Sequence, residues 1–220
     1  MEIYTYCNQE LQKRATAMAN GETYKYSDED MQMGGSVQST QDGRIVAVIG
    51  GHNYKSGDLN KATVKQQPGS SIKPILDYGM AYKYLDWCTG HTVKDEPIEA
   101  GIKNWDNQFH GSMTISEALE NSWNIPAYTT FQEVKKVAGS KNLTEDLESL
   151  GIEMSDQDPD LPDSYAIGGW STGVSPVEMA GAYATVANNG KYIESHTVNY
   201  IEVAKDNETI KVDEQLQKKA

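Results

Sequence analysis

A hydroxyl and an amine stand three residues apart at Ser70 and Lys73, within Gln67-Pro68-Gly69-Ser70-Ser71-Ile72-Lys73-Pro74. On a helix, positions i and i+3 share a face, so the two groups can meet. A serine beside a neutral lysine is a nucleophile–base pair that needs no histidine. The positive end of a helix disfavours an ammonium and helps to keep such a lysine deprotonated. Pro74 suits a helix start, where an N–H has no intrahelical partner. Ser-x-x-Lys arises by chance about once in a chain of this composition, so the surrounding residues must carry the assignment.

A second pair, Ser122 and Asn124, lies about fifty residues further on, in Glu120-Asn121-Ser122-Trp123-Asn124-Ile125-Pro126-Ala127. Ser140-Lys141-Asn142 matches the same Ser-x-Asn string. Ser140, however, follows Gly139 in a polar stretch that ends one helix and reads as a cap or turn. Ser122 falls at a helix–helix junction, where a loop can aim side chains into a cleft. Four scattered histidines show no metal-ligand spacing. Asp156-Gln157-Asp158-Pro159-Asp160 follows a calcium loop for three alternate positions, then has Leu161 where that loop needs Gly and Ile167 where it needs Glu. It reads as a solvated loop, and no cofactor is implied.

The elements that must hold these residues are legible in outline. Residues 2–20 carry a helical pattern that stops near Asn20-Gly21. Ser36–Thr40 and Arg44–Ile49 flank Gln41-Asp42-Gly43, a hairpin signal, and Gly50-Gly51 ends the second strand. A polar loop from His52 to Gln67 leads to the helix of Ser70, whose Ile72, Ile75, Leu76 and Met80 keep helical spacing. Cys88 to Gly111 reads as a loop. Thr114-Ile115-Ser116-Glu117 is a capping box, and Pro126 opens a helix running towards Ala138-Gly139. A short helix spans about Leu143 to Leu150. Ser175-Pro176-Val177-Glu178 is a second capping box whose helix stops at Asn189-Gly190, and a strand from Val198 to Ala204 follows. A hairpin, a helical middle and a returning strand make an α+β fold.

Composition narrows the function. The formal charge of −13 over 220 residues argues against nucleic acid, which wants a basic face. No run approaches the roughly 18 apolar residues of a membrane span, and the first dozen residues are too polar for a signal peptide. Cys7 and Cys88 are too few for a disulfide framework.

Taken together, these segments resemble the transpeptidase domain of class A penicillin-binding proteins, the peptidoglycan synthases. The resemblance runs in the family's order through Asp42–Gly51, Gln67–Pro74, Ala118–Ala127, Ala166-Ile167-Gly168-Gly169, Val174–Ala184 and Ala187-Asn188-Asn189-Gly190. It implies a penicillin-binding-protein/serine β-lactamase-like fold, with a hairpin and late strand packed on a helical subdomain. Residues 1–31 would be a lead-in helix and linker, and 32–220 a partial transpeptidase domain. Ser70 would attack the penultimate D-Ala carbonyl of a peptidoglycan stem peptide, with Lys73 taking its proton. Ser122 would relay a proton to the leaving group, and Asn124 would hydrogen-bond the substrate backbone. β-Lactams would acylate the same serine. The work would be done on the cell-wall side of the bacterial cytoplasmic membrane by a membrane-anchored parent protein, with no membrane contact by these residues.

The family's third motif, Lys-Thr-Gly or Lys-Ser-Gly, belongs on a strand beyond the second. Lys55-Ser56-Gly57 has the letters but lies upstream of Ser70, and Lys205, Lys211, Lys218 and Lys219 lack the following Thr/Ser-Gly. The expectation is a piece of a longer protein whose missing late strands leave the first hairpin with an open edge. The alternative function is a non-catalytic penicillin-binding or scaffold module with the same fold.

Overall fold

Asn8 starts the first helix with its side chain, its Oδ1 accepting the N–H groups of Glu10 and Leu11. In the computed structural model, which describes residues 2–28, 30–155, 159–202 and the backbone of 209–210, the chain divides into two compact units. They are Met1–Val64 with Ser175–Ala220, and Lys65–Val174.

The first unit begins with a strand, β1 (Glu2–Thr5), where a helix was expected, and α1 is confined to Gln9–Ala19. Local pattern is overridden here by pairing across almost the whole chain. β1 lies antiparallel to β6 (Val198–Glu202), from Glu2 opposite Glu202 to Thr5 opposite Val198. β7 (Thr209–Ile210) adds to the far side of β6. The expected hairpin is present as β2 (Gly35–Gln38) and β3 (Ile45–Ile49).

The β3 edge of that hairpin is covered, while β2 pairs with no strand but β3 among the described residues. The Gln12 side chain imitates a neighbouring strand at Val48: Nε2 donates to the carbonyl at 2.8 Å, and Oε1 accepts the N–H at 2.9 Å. The Asn8 N–H bonds the Val46 carbonyl, and the Ile45 N–H bonds the His196 carbonyl. These bonds satisfy backbone groups that would otherwise invite another chain. The α6 helix (Pro176–Ala187) carries both halves of its predicted capping box: Ser175 Oγ accepts the Glu178 N–H, and Glu178 Oε2 accepts the Ser175 N–H.

The second unit holds the residues of interest. A 3-10 turn (Gly69–Ile72), a π segment (Pro74–Gly79) and α2 (Met80–Tyr84) follow one another where a single α-helix was expected. Ile75 to Tyr78 are all buried. Gly79 makes the wide turn feasible: a Cβ there would stand 2.8 Å from the Pro74 carbonyl oxygen.

Between Cys88 and Gly111, read as loop, lies half of a further hairpin, β4 (Thr92–Asp95) paired with β5 (Gly111–Thr114). Thr114 caps α3 (Ile115–Glu120) by accepting the Glu117 N–H. α4 (Asn124–Ala138) and α5 (Ser140–Ser149) meet at Gly139. Ser140 is the first residue of α5, its hydroxyl donating to the Asp160 carbonyl. The core of this unit gathers Tyr78, Val93, Met113, Ile115, Ala118, Trp123 and Ala127. Residues 156–158 and the lysines at 205, 211, 218 and 219 lie outside the described residues.

Candidate active site

Ser70 is exposed on the 3-10 turn, and Lys73 at the end of that turn is fully buried. Residues i and i+3 eclipse one another in 3-10 geometry, so the shared face expected of an α-helix survives the change of helix type. The turn is seated against a second 3-10 segment, Asp163–Ile167, which ends at Gly168. Gly168 has a φ of 81°, and a Cβ on it would fall 2.2 Å from the Gly69 Cα, so no other residue type fits beside the turn that carries Ser70.

Ser122 occupies the turn between α3 and α4 with a φ of 56°. The Trp123 N–H bonds the Ala118 carbonyl, and the Ser122 N–H bonds the Leu119 carbonyl. That pattern is a Schellman motif whose left-handed position usually holds glycine. A serine there costs about 1–2 kcal/mol, and such strain gathers at functional sites. Trp123 anchors the turn by packing into the core and stacking on His110, with ring centroids 3.9 Å apart.

The Lys73 amine joins the two segments. Nζ donates to the Asn124 side-chain Oδ1 at 2.7 Å and to the Ser122 carbonyl at 2.8 Å. Ser122 Oγ and the Trp123 carbonyl lie further off, each at 3.3 Å. Burial draws the Lys73 amine down to about 8, with the Asp77 carboxyl one turn on pulling the other way. The expected helix-end effect is not the main cause. A neutral amine has two N–H groups, and the two short contacts use both, leaving its lone pair for a hydroxyl.

Three of the four expected residues therefore meet: Lys73, Ser122 and Asn124. Ser70 stays apart, for no hydrogen bond joins its hydroxyl to Lys73 among the described residues. The Asn124 amide is already engaged, Oδ1 with Lys73 and Nδ2 with the Lys103 carbonyl at 2.9 Å, which leaves one Nδ2 hydrogen for a ligand. Lys55-Ser56-Gly57 falls in a turn of a polar loop closed by the Asp58 N–H on the Lys55 carbonyl, as expected of a chance match. Cys7 and Cys88 are free thiols, both exposed.

Sequence reasoning missed four further groups. Asp77 is completely buried, neither carboxyl oxygen has a hydrogen-bond partner, and burial pushes it well above the usual carboxylate range. Asp95, Asn104 and His110 form a network beside Ser122-Trp123-Asn124. Asn104 Oδ1 accepts the Asn124 N–H at 2.9 Å, and Nδ2 donates to both Asp95 oxygens at 2.9 and 2.7 Å. His110 adds its backbone N–H and Nδ1 to Asp95 Oδ2, at 2.9 and 2.7 Å. No local string marks this network, because its members come from separate elements.

Comparisons with known proteins identify the family. The family model for the penicillin binding protein transpeptidase domain matches residues 33–220. Penicillin-binding protein 1A/1B of Bacillus subtilis is 35% identical over 92% of the chain, and penicillin-binding protein 1A of Streptococcus pneumoniae is 32% identical over 87%. The chain spans only 22% and 28% of those relatives' lengths. Among solved structures, PonA1 of Mycobacterium tuberculosis in complex with penicillin V superposes with a TM-score of 0.77 at 22% identity, covering 92% of this chain and 55% of that one. Penicillin-binding protein 1A of Haemophilus influenzae gives 0.65 at 28% identity, covering 78% of this chain and 25% of that one. The α+β architecture is that of penicillin-binding-protein transpeptidase domains, and the chain belongs to the penicillin-binding protein transpeptidase family, with class A penicillin-binding proteins as its relatives.

Proposed function

We propose that this chain carries the acyl-transfer site of a peptidoglycan D,D-transpeptidase, with Ser70 as nucleophile and Lys73 as its base. The observation that carries the reading is the buried Lys73 amine, lowered to about 8 and held against Ser122 and Asn124. A lysine so lowered is neutral often enough near neutral pH to take a proton from a hydroxyl.

Ser70 Oγ bonds to the penultimate D-Ala carbonyl carbon of a stem peptide while its proton passes to Lys73. The C–N bond to the terminal D-Ala then breaks, and that amine leaves with a proton relayed through the Ser122 hydroxyl, 3.3 Å from Lys73 Nζ. An amine of a second stem peptide attacks the acyl-serine and frees Ser70. Asn124 offers its remaining Nδ2 hydrogen to the substrate backbone. The strained amide of a β-lactam enters the first half of the same sequence and opens on Ser70. Such a site would work on the outer side of the bacterial membrane, where its peptidoglycan substrate lies.

Labelling with a fluorescent penicillin, read by intact-mass spectrometry, tests the proposal. One adduct on the folded chain, lost in Ser70→Ala, is the expected result. A folded chain that takes no label at Ser70 overturns it for these residues and leaves the non-catalytic module.

A further inference from the structure

The first four residues of a helix need partners for N–H groups that no preceding turn supplies. Around the head of α4 every one is accounted for. Trp123, the N-cap, gives its N–H to the Ala118 carbonyl, and Pro126 has none to give. The N–H groups of Asn124 and Ile125 both turn to Asn104 Oδ1, at 2.9 and 3.4 Å. Trp123 makes no side-chain cap, so the capping oxygen comes from a residue twenty positions upstream.

That amide has no freedom to turn. Exchanging Oδ1 for Nδ2 would set donor against donor at α4 and acceptor against acceptor at Asp95. Nδ2 also reaches the Gln108 carbonyl at 2.8 Å, so both of its hydrogens are used. Asn104 is 3% exposed and Asp95 fully buried, where a broken bond leaves a polar group unsatisfied. The backbone held this way belongs to Asn124, whose side chain carries the short contact to Lys73.

Resting on the acyl-transfer reading above, we propose that Asn104, oriented by Asp95, is a positioning residue for this site. It fixes the backbone of Asn124 and thereby the place of the Lys73 amine. Asn104 touches neither substrate nor the reacting atoms.

The test compares wild type, Asn104→Ala and Asn104→Asp in penicillin acylation from pH 5.5 to 9, at matched folded fractions. Asn104→Ala is expected to lower the limiting acylation rate constant by about 10- to 100-fold, because small misplacements of catalytic groups cost that much. The penicillin concentration giving half the limiting rate should change less than about twofold. In Asn104→Asp the new carboxyl faces Asp95, with His110 and Asp106 as the other titratable groups of the network. Protonated, it can still donate to Asp95 and accept from Asn124; ionised, it loses the donor and repels Asp95. Its rate relative to wild type at each pH should therefore approach one at the acid end and fall as pH rises.

Rates equal to wild type for both variants at every pH overturn the proposal. If Asn104→Ala does not fold, the pH course of Asn104→Asp decides. If wild type itself takes no label at Ser70, the acyl-transfer reading falls separately, and amide hydrogen exchange decides the positioning role. Exchange at Asn124 and Ile125 about tenfold or more faster in the variant supports it, and unchanged exchange overturns it.

Discussion

Ser70 sits exposed on a 3-10 turn with no hydrogen bond to its hydroxyl among the described residues. Ser122 is held on every side: its backbone closes the end of α3, its carbonyl and hydroxyl both meet Lys73, and the next residue is buried. The two serines carry identical chemistry, so the difference lies in what each segment has to do. A nucleophile must move towards a carbonyl and so is left unbonded. On the proposed reading, the groups that manage its proton must already be in place, and the strained φ at Ser122 goes with that prearrangement.

The largest expected effect comes from the lysine between them. If neutral Lys73 is the base, penicillin acylation should rise with pH, roughly tenfold per unit below the midpoint, and level off above about 8. Lys73→Met should lower the plateau by about 10²–10⁴ and abolish that rise. A flat wild-type profile from pH 6 to 9 would dissolve the contrast between a free nucleophile and a prearranged base.

A smaller effect separates the serines by stability. Ser122→Gly should raise the denaturation midpoint by an amount worth about 1 kcal/mol, since glycine accepts the left-handed conformation, while acylation slows. Ser70→Ala, at an exposed and unbonded hydroxyl, should leave the midpoint within about 0.5 kcal/mol of wild type. Equal shifts at the two positions would remove the distinction.

The last effect, read against pH, concerns Asp77 on the Ser70 side. Its carboxyl keeps a proton in the folded chain that the unfolded chain releases above about pH 4, so it costs stability as pH rises from there. Asp77→Asn should match wild type near pH 4 and become progressively more stable towards neutrality, in denaturant midpoints measured across that range. A constant offset at all pH values would mean that Asp77 titrates alike in both states.

Much of this site was legible because its signals are local. Ser70 and Lys73 share a turn, Ser122 and Asn124 share another, and Ser175 with Glu178 caps α6 within four residues. Asn104 caps α4 from twenty positions away, so its short polar side chain looks like any loop asparagine. β1 was misread as helix because only β6, nearly two hundred residues on, makes it a strand. The cover on β3 was not foreseen, because it comes from a glutamine side chain, which strand propensity does not register. The 3-10 and π turns were read as plain helix since apolar spacing near Ile72 to Met80 fits several helix types over so short a run.

The π segment at Pro74–Gly79 has a geometric consequence of its own. Each residue of an α-helix turns about 100° around the axis, so one extra residue in a turn rotates everything after it by that angle relative to Lys73. The segment therefore works as a phase coupling between two gears. Upstream, orientation is dictated by the amine; downstream, Met80 and Ala81 are aimed by the core they fill. Deleting a single residue from this stretch would restore a regular α-helix, and it would also throw one gear out of mesh with the other.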